Sequence, residues 1–169
     1  FSLNLRRYEA LKANRPSFSL AKVREIAAFS PASGGLHIQT YGALPRSGYH
    51  IEKLTYESEP GILIPAVLYV PEAHGAKSPA IICADGEGKQ ATREAAERLV
   101  RKGNIVMSVD ARGLGETRPV LDTHDHFFTY FADHDNAETA ILLGKTLVGM
   151  RAADIARGID LLAARMPTR

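Results

Sequence analysis

The sequence predicts an α/β fold in which an antiparallel hairpin is followed by parallel strands with flanking helices. Three observations carry that expectation. Residues 50–58 place Leu54 and Tyr56 two apart, and residues 62–70 place Ile62, Ile64, Ala66, Leu68 and Val70 on one face, on either side of Glu59-Pro60-Gly61, a turn sequence. Residues 80–84 are a short continuous apolar run, residues 105–109 are a second mainly apolar strand, and a helical pattern lies between them. A length of 169 residues, with 45% hydrophobic and 24% charged, suits one globular domain.

Residues 3–29 mix apolar and basic positions at helical spacing, with Pro16 splitting the stretch and Ser19 placed to cap its second part. Two short helices are expected there. Pro31 and Ser33-Gly34-Gly35 close the segment, and Gly42, Pro45, Ser47 and Gly48 predict a loop before Tyr49. Residues 1–48 thus read as a helical segment and loop, and residues 49–169 as a partial α/β domain.

Within the hairpin, Leu54 and Tyr56 share a face, as do Ile62, Ile64, Ala66, Leu68 and Val70. Ala80-Ile81-Ile82-Cys83-Ala84 stops at Asp85-Gly86-Glu87-Gly88, as a strand covered on both faces would. Residues 92–102 place Ala95, Ala96, Leu99 and Val100 on one side of a helix that Gly103 ends. Strand, helix and strand in that order predict a right-handed crossover between parallel strands. Residues 116–136 are polar, aromatic and histidine-rich without a period, the pattern of an excursion or lid. In residues 144–166 a helix is expected with Leu147, Met150, Ile155, Ile159 and Leu162 inward and Arg151, Asp154, Arg157 and Arg165 outward.

Several function classes fall away. The lone Cys83 makes neither an intramolecular disulfide nor a thiolate zinc site, and its place in an apolar strand predicts an inert core thiol. The longest apolar stretch, residues 61–71, is far shorter than the roughly 20 residues that span a bilayer, so no membrane partner is expected. Twenty-one basic residues against nineteen acidic ones give no concentrated basic face, and nucleic acid is not an expected partner. The chain begins at Phe1 rather than methionine, which leaves its compartment open.

Asp85-Gly86-Glu87-Gly88-Lys89 has the glycines and lysine of a phosphate cradle, but the glycine spacing fails and Gln90 follows the lysine. The same loop suits an oxyanion hole, because glycines after a buried strand let a backbone N–H approach a carbonyl. Gly113 and Gly115 lack the third glycine of a dinucleotide fingerprint, and Pro119 interrupts the helix that motif requires. His124, His126 and His134, with Asp122, Asp125, Asp133 and Asp135, have metal-ligand chemistry without ligand spacing, so no metal is assigned.

Together, Ile64-Pro65-Ala66-Val67-Leu68-Tyr69-Val70-Pro71, Pro79-Ala80-Ile81-Ile82 with Asp85-Gly86, Asp110-Ala111-Arg112-Gly113-Leu114-Gly115-Glu116 and the stretch 149–160 resemble, in this order, the α/β-hydrolase superfamily. The resemblance is to its acetyl xylan esterase and related carbohydrate-esterase group. It implies the amino-terminal half of an α/β-hydrolase sheet and a serine esterase acting on acyl esters, with an acetylated carbohydrate as partner and no cofactor. It also admits a secreted or periplasmic setting. By the same resemblance, the backbone of Gly86 or Glu87 supplies an oxyanion-hole N–H, and Asp110 and Arg112 fix a loop. The chain departs from the group in having Asp85 where the loop usually has histidine. No Gly-x-Ser-x-Gly occurs, and Ser33 and Ser47, the serines beside glycine in the early loops, do not follow a buried strand. The histidines at 124, 126 and 134 precede the expected serine, so no complete catalytic set is assigned. A sheet stopping here leaves Ile81-Ile82-Cys83-Ala84 as an apolar edge. That edge would be covered by a missing carboxy-terminal half or by a second copy, and a non-catalytic module associating through it is the alternative reading.

Overall fold

A computed structural model describes residues 2–13, 19–75, 78–119 and 133–165. Helices α1 (Ser2–Ala13) and α2 (Leu20–Ile26) precede strands β1 (Gln39–Arg46), β2 (Tyr49–Glu59), β3 (Ile62–Pro71) and β4 (Ala80–Ala84). Helix α3 (Arg93–Val100), strand β5 (Ile105–Val109) and helices α4 (His134–Leu142) and α5 (Leu147–Arg165) follow. Ser19 caps α2 as its position predicts, its Oγ accepting from the Lys22 N–H at 3.2 Å.

The five strands lie in the order β1-β2-β3-β5-β4. The hairpin β2–β3 is antiparallel, with Leu54 opposite Ala66 and Tyr56 opposite Ile64. Strands β4 and β5, joined through α3, are parallel, with Ile82 opposite Met107. The parallel pairing through an intervening helix that the sequence predicts is present.

Period-2 alternation divides the apolar side chains between two cores. Leu54, Tyr56, Ile64, Ala66, Leu68, Val70, Met107 and Val109 meet Leu161 and Leu162 of α5 on one face. Tyr49, Ile51, Tyr69 and Val106 meet Ala96 and Val100 of α3 on the other. Helices therefore cover both faces of the sheet.

Two expectations need correction. The loop predicted before Tyr49 is strand β1, with only Ser47-Gly48 left as the turn into β2. Its loop-like residues are accommodated locally: the register shifts between Thr40 and Ala43, where Gly42 has φ +112°, and Pro45 sits on an edge strand. Strand β4 is the apolar edge that the sequence predicts, bonded among the described residues to β5 alone, and it packs on both faces as expected, Ile82 against the core under α5 and Cys83 against the core under α3. Helix α5 is rotated relative to the expectation: Asp154 and Arg157 are 0% and 7% exposed, and Ile159 is 53% exposed. The helix packs through its small residues. A Cβ on Gly158 would lie 2.7 Å from Ile82 Cδ1 and 2.9 Å from Tyr56 Oη, and one on Gly149 would lie 2.1 Å from the Ala27 carbonyl oxygen.

Candidate functional site

In a sheet with a parallel pair, ligands gather where the loops leave the carboxyl ends of the strands. Here those loops follow Ala84 and Val109, and Asp110 locks them together. Its buried carboxylate accepts the Lys89 main-chain N–H at 2.5 Å and the Glu116 main-chain N–H at 3.0 Å, and it pairs with the Lys89 ammonium. Lys89, itself buried, also pairs with Glu116 at 2.7 Å. The glycines make the approach possible. A Cβ on Gly115 would lie 2.2 Å from Asp110 Oδ1, and one on Gly88 would lie 2.5 Å from Gly115 Cα. Lys89 therefore holds the loop rather than facing a phosphate.

Gly86 and Glu87, expected from the sequence resemblance to supply an oxyanion-hole N–H, are exposed beyond the end of β4. The Glu87 N–H donates to Asp85 Oδ1 at 2.9 Å, and the Gly88 N–H donates to the Asp85 carbonyl at 3.0 Å. Among the described residues the Gly86 N–H has no partner. Asp85 thus occupies one of the two candidate donors.

A second polar cluster surrounds Asp154. Its carboxylate accepts from the Arg112 main-chain N–H at 3.0 Å, from Arg112 Nε at 2.9 Å and from Arg112 Nη2 at 2.6 Å. Ser58 Oγ donates to the same carboxylate at 2.6 Å, and Tyr56 Oη donates to the Asp154 carbonyl at 2.7 Å. Burial pushes the Tyr56 phenol well above its usual range, with the Asp154 charge adding to the effect. Arg112 Nη2 also reaches Glu59 at 2.6 Å, and Lys145 reaches that carboxylate at 3.2 Å. Burial opposes the charge on both Arg112 and Glu59, but pairing outweighs it and holds Arg112 above and Glu59 below their ordinary values. Arg151 completes the cluster, donating to the Arg112 carbonyl at 3.0 Å and to Asp133 at 2.8 Å.

Asp110 and Arg112 hold loops in place, as the sequence resemblance implied. Ser33 and Ser47 lie in a loop and a turn. Cys83 packs beside Val106, and burial raises its thiol pKa. Of the histidine-aspartate group, His124, His126, Asp122 and Asp125 lie outside the described residues. His134 opens α4, and its ligand atom lies within 4.8 Å of those of Asp135 and Glu138, all three exposed. Asp133 is engaged with Arg151 instead.

The sequence reading missed the Asp154–Arg112 pair and the roles of Lys89 and Glu59. A signal for Asp154 was present: it stands seven residues after Leu147 and seven before Leu161, on the inward stripe of the helix.

No protein-family model matches the sequence, and no curated protein matches it. Solved structures do. A Bacteroides fragilis protein assigned as an acetyl xylan esterase superposes with a TM-score of 0.70 at 17% identity, over 88% of this chain and 42% of that one. An acetyl xylan esterase from Paenibacillus sp. R4 superposes with a TM-score of 0.56 at 17% identity, over 79% of this chain and 43% of that one. The chain has the fold of α/β-hydrolase esterases over somewhat less than half their length.

Proposed function

We propose that the chain forms the amino-terminal part of a serine esterase acting on acyl esters, with acetylated carbohydrate as the substrate class. The observation that carries this reading is the esterase-like sheet whose parallel strand β4 has, among the described residues, a neighbour on one side only. In this fold the nucleophilic serine follows the next parallel strand, on a sharp turn to a helix. Its Oγ would attack the ester carbonyl, and the Gly86 N–H would stabilise the oxyanion that develops. The Glu87 N–H would join it once Asp85 turns away, which also removes a carboxylate that would repel that charge. Without the serine, the acid and the histidine of the usual order, the 169-residue chain is inactive alone.

Hydrolysis of a short acyl ester, measured with and without phenylmethylsulfonyl fluoride, tests this. The chain alone should show no turnover, and the chain joined to its following segment should show turnover that the reagent abolishes. Reagent-sensitive turnover by the chain alone would contradict the missing nucleophile. An inactive joined chain would remove the esterase reading.

The same open edge favours a second reading, a non-catalytic module that associates through residues 80–84 with a second copy or a separate carboxy-terminal half. A stable, inactive homodimer paired at β4 would select it.

A further inference from the structure

We propose that the open part of the sheet face between β1 and the loop after β5 is a sugar subsite, holding a neutral pyranose of the glycan that carries the ester; this rests on the esterase reading above. Lys53, Thr55 and Pro65 alternate with the buried Leu54 and Ala66, and so lie on the face that α3 packs on. Helix α3 begins only at Arg93 and meets Tyr49, Ile51, Tyr69 and Val106, which leaves the other end of that face open. The groove there is about 450 Å³, and its lining residues fall in two unbroken described stretches, 41–67 and 89–116. It reaches the loop that follows β5, because the Pro65 carbonyl accepts the Asp110 N–H at 2.9 Å. It crosses β2 and β3, on the far side of the sheet from the outer edge of β4, so a segment pairing at that edge does not occupy it.

A β-bulge supplies an aromatic surface. Strand β1 pairs Thr40 with Leu54 and Ala43 with Glu52, so Tyr41 and Gly42 together stand opposite Lys53. Bulges of this kind re-aim a side chain, and Tyr41 lines the groove while 61% exposed. Its hydroxyl donates to Gln39 Oε1 at 3.0 Å and lies 3.4 Å from Thr55 Oγ1. A ring held at its hydroxyl end offers an apolar surface to the C–H face of a pyranose. The polar lining both donates and accepts. Among the described residues neither the Lys53 ammonium nor the Gln90 side-chain amide has a partner. Glu116, exposed, pairs with Lys89 through Oε1 at 2.7 Å and keeps its other oxygen as an acceptor. A sugar hydroxyl is donor and acceptor at once and so suits all three groups. An anion would meet the Glu116 carboxylate, and an apolar ligand would cover the Lys53 ammonium without giving it a partner.

Titration of the isotope-labelled 169-residue chain with xylotetraose, a neutral pyranose oligomer, followed by amide chemical shifts, tests this, with inorganic phosphate as the anionic control. Xylotetraose should shift the amides of Tyr41, Lys53 and Thr55 and bind more tightly than phosphate. Tyr41→Ala should weaken the tetraose about tenfold, the loss of the stacking surface, and Gln90→Ala about threefold, the loss of one hydrogen bond. Gln90 is exposed, so its variant keeps the test readable if Tyr41→Ala disturbs β1. No shift at those amides, phosphate binding as tightly as the tetraose, or affinity unchanged in either variant would each overturn the proposal. Such a result beside reagent-sensitive ester turnover by the joined chain would remove the subsite alone, whereas absent turnover would remove the esterase reading.

Discussion

Asp154, buried in α5, accepts three hydrogen bonds from Arg112, one from its main chain and two from its guanidinium. The pair ties the helix to the loop after β5, and Tyr56 and Ser58 bring β2 to the same point. Segments far apart in sequence thus share one buried carboxylate, which positions the loop carrying Arg112 and Gly113.

Removing one partner of such a pair leaves the other uncompensated. Asp154→Ala should destabilise the chain by about 3 kcal/mol. Ser58→Ala, which deletes one hydrogen bond and leaves the ion pair, should cost about 1 kcal/mol. Urea unfolding checks both, with the Asp154 variant losing at least twice as much. Equal losses would mean that the ion pair does not hold the helix.

The lock at Asp110 makes a sharper steric prediction. Gly115→Ala places a methyl group 2.2 Å from Asp110 Oδ1 at a φ of +55°. It should lower stability by about 2 kcal/mol or more. A Cβ at Gly86 meets nothing within 4 Å, and Gly86→Ala should stay within about 1 kcal/mol. Thermal melts of the two variants should separate clearly.

Glu59 gives the pH dependence a sign. Its folded pKa lies below the ordinary 4.5, because pairing with Arg112 and Lys145 outweighs burial. The unfolded chain therefore takes up the proton first as pH falls. The contribution is full above about pH 4.5 and is lost as pH drops through the lower folded value. Stability measured from pH 6 down to pH 3 should fall less steeply in Glu59→Gln. An unchanged slope would place the acid sensitivity elsewhere.

Strand β4 predicts association. Among the described residues its outer edge has no strand beside it, and Ala80 and Ala84 are exposed. The 169-residue chain should self-associate as its concentration rises, and Ala80→Lys, a charge at the edge, should reduce this. Sedimentation at rising concentration checks it, and a chain that stays monomeric without the lysine would show the edge to be protected.

The strands of the hairpin and crossover were legible because apolar residues two apart on β2 and short, mainly apolar runs on β3, β4 and β5 are bounded by turn residues. Strand β1 was hidden because its Gly42 and Pro45 are turn residues that a bulge and an edge position both tolerate. Asp154 and Arg157 were placed outside because charge was weighed above the helical stripe, while Gly149, Ala153 and Gly158 do the close packing. The segment 85–88 was legible as a loop. That its Glu87 N–H would be occupied by Asp85 depends on a side-chain turn that residue type alone does not fix.

One measurement bears on the whole account: the coding sequence read in frame beyond Arg169. The account predicts a strand and then Gly-x-Ser-x-Gly within about 20 residues. A stop codon immediately after Arg169 would contradict it.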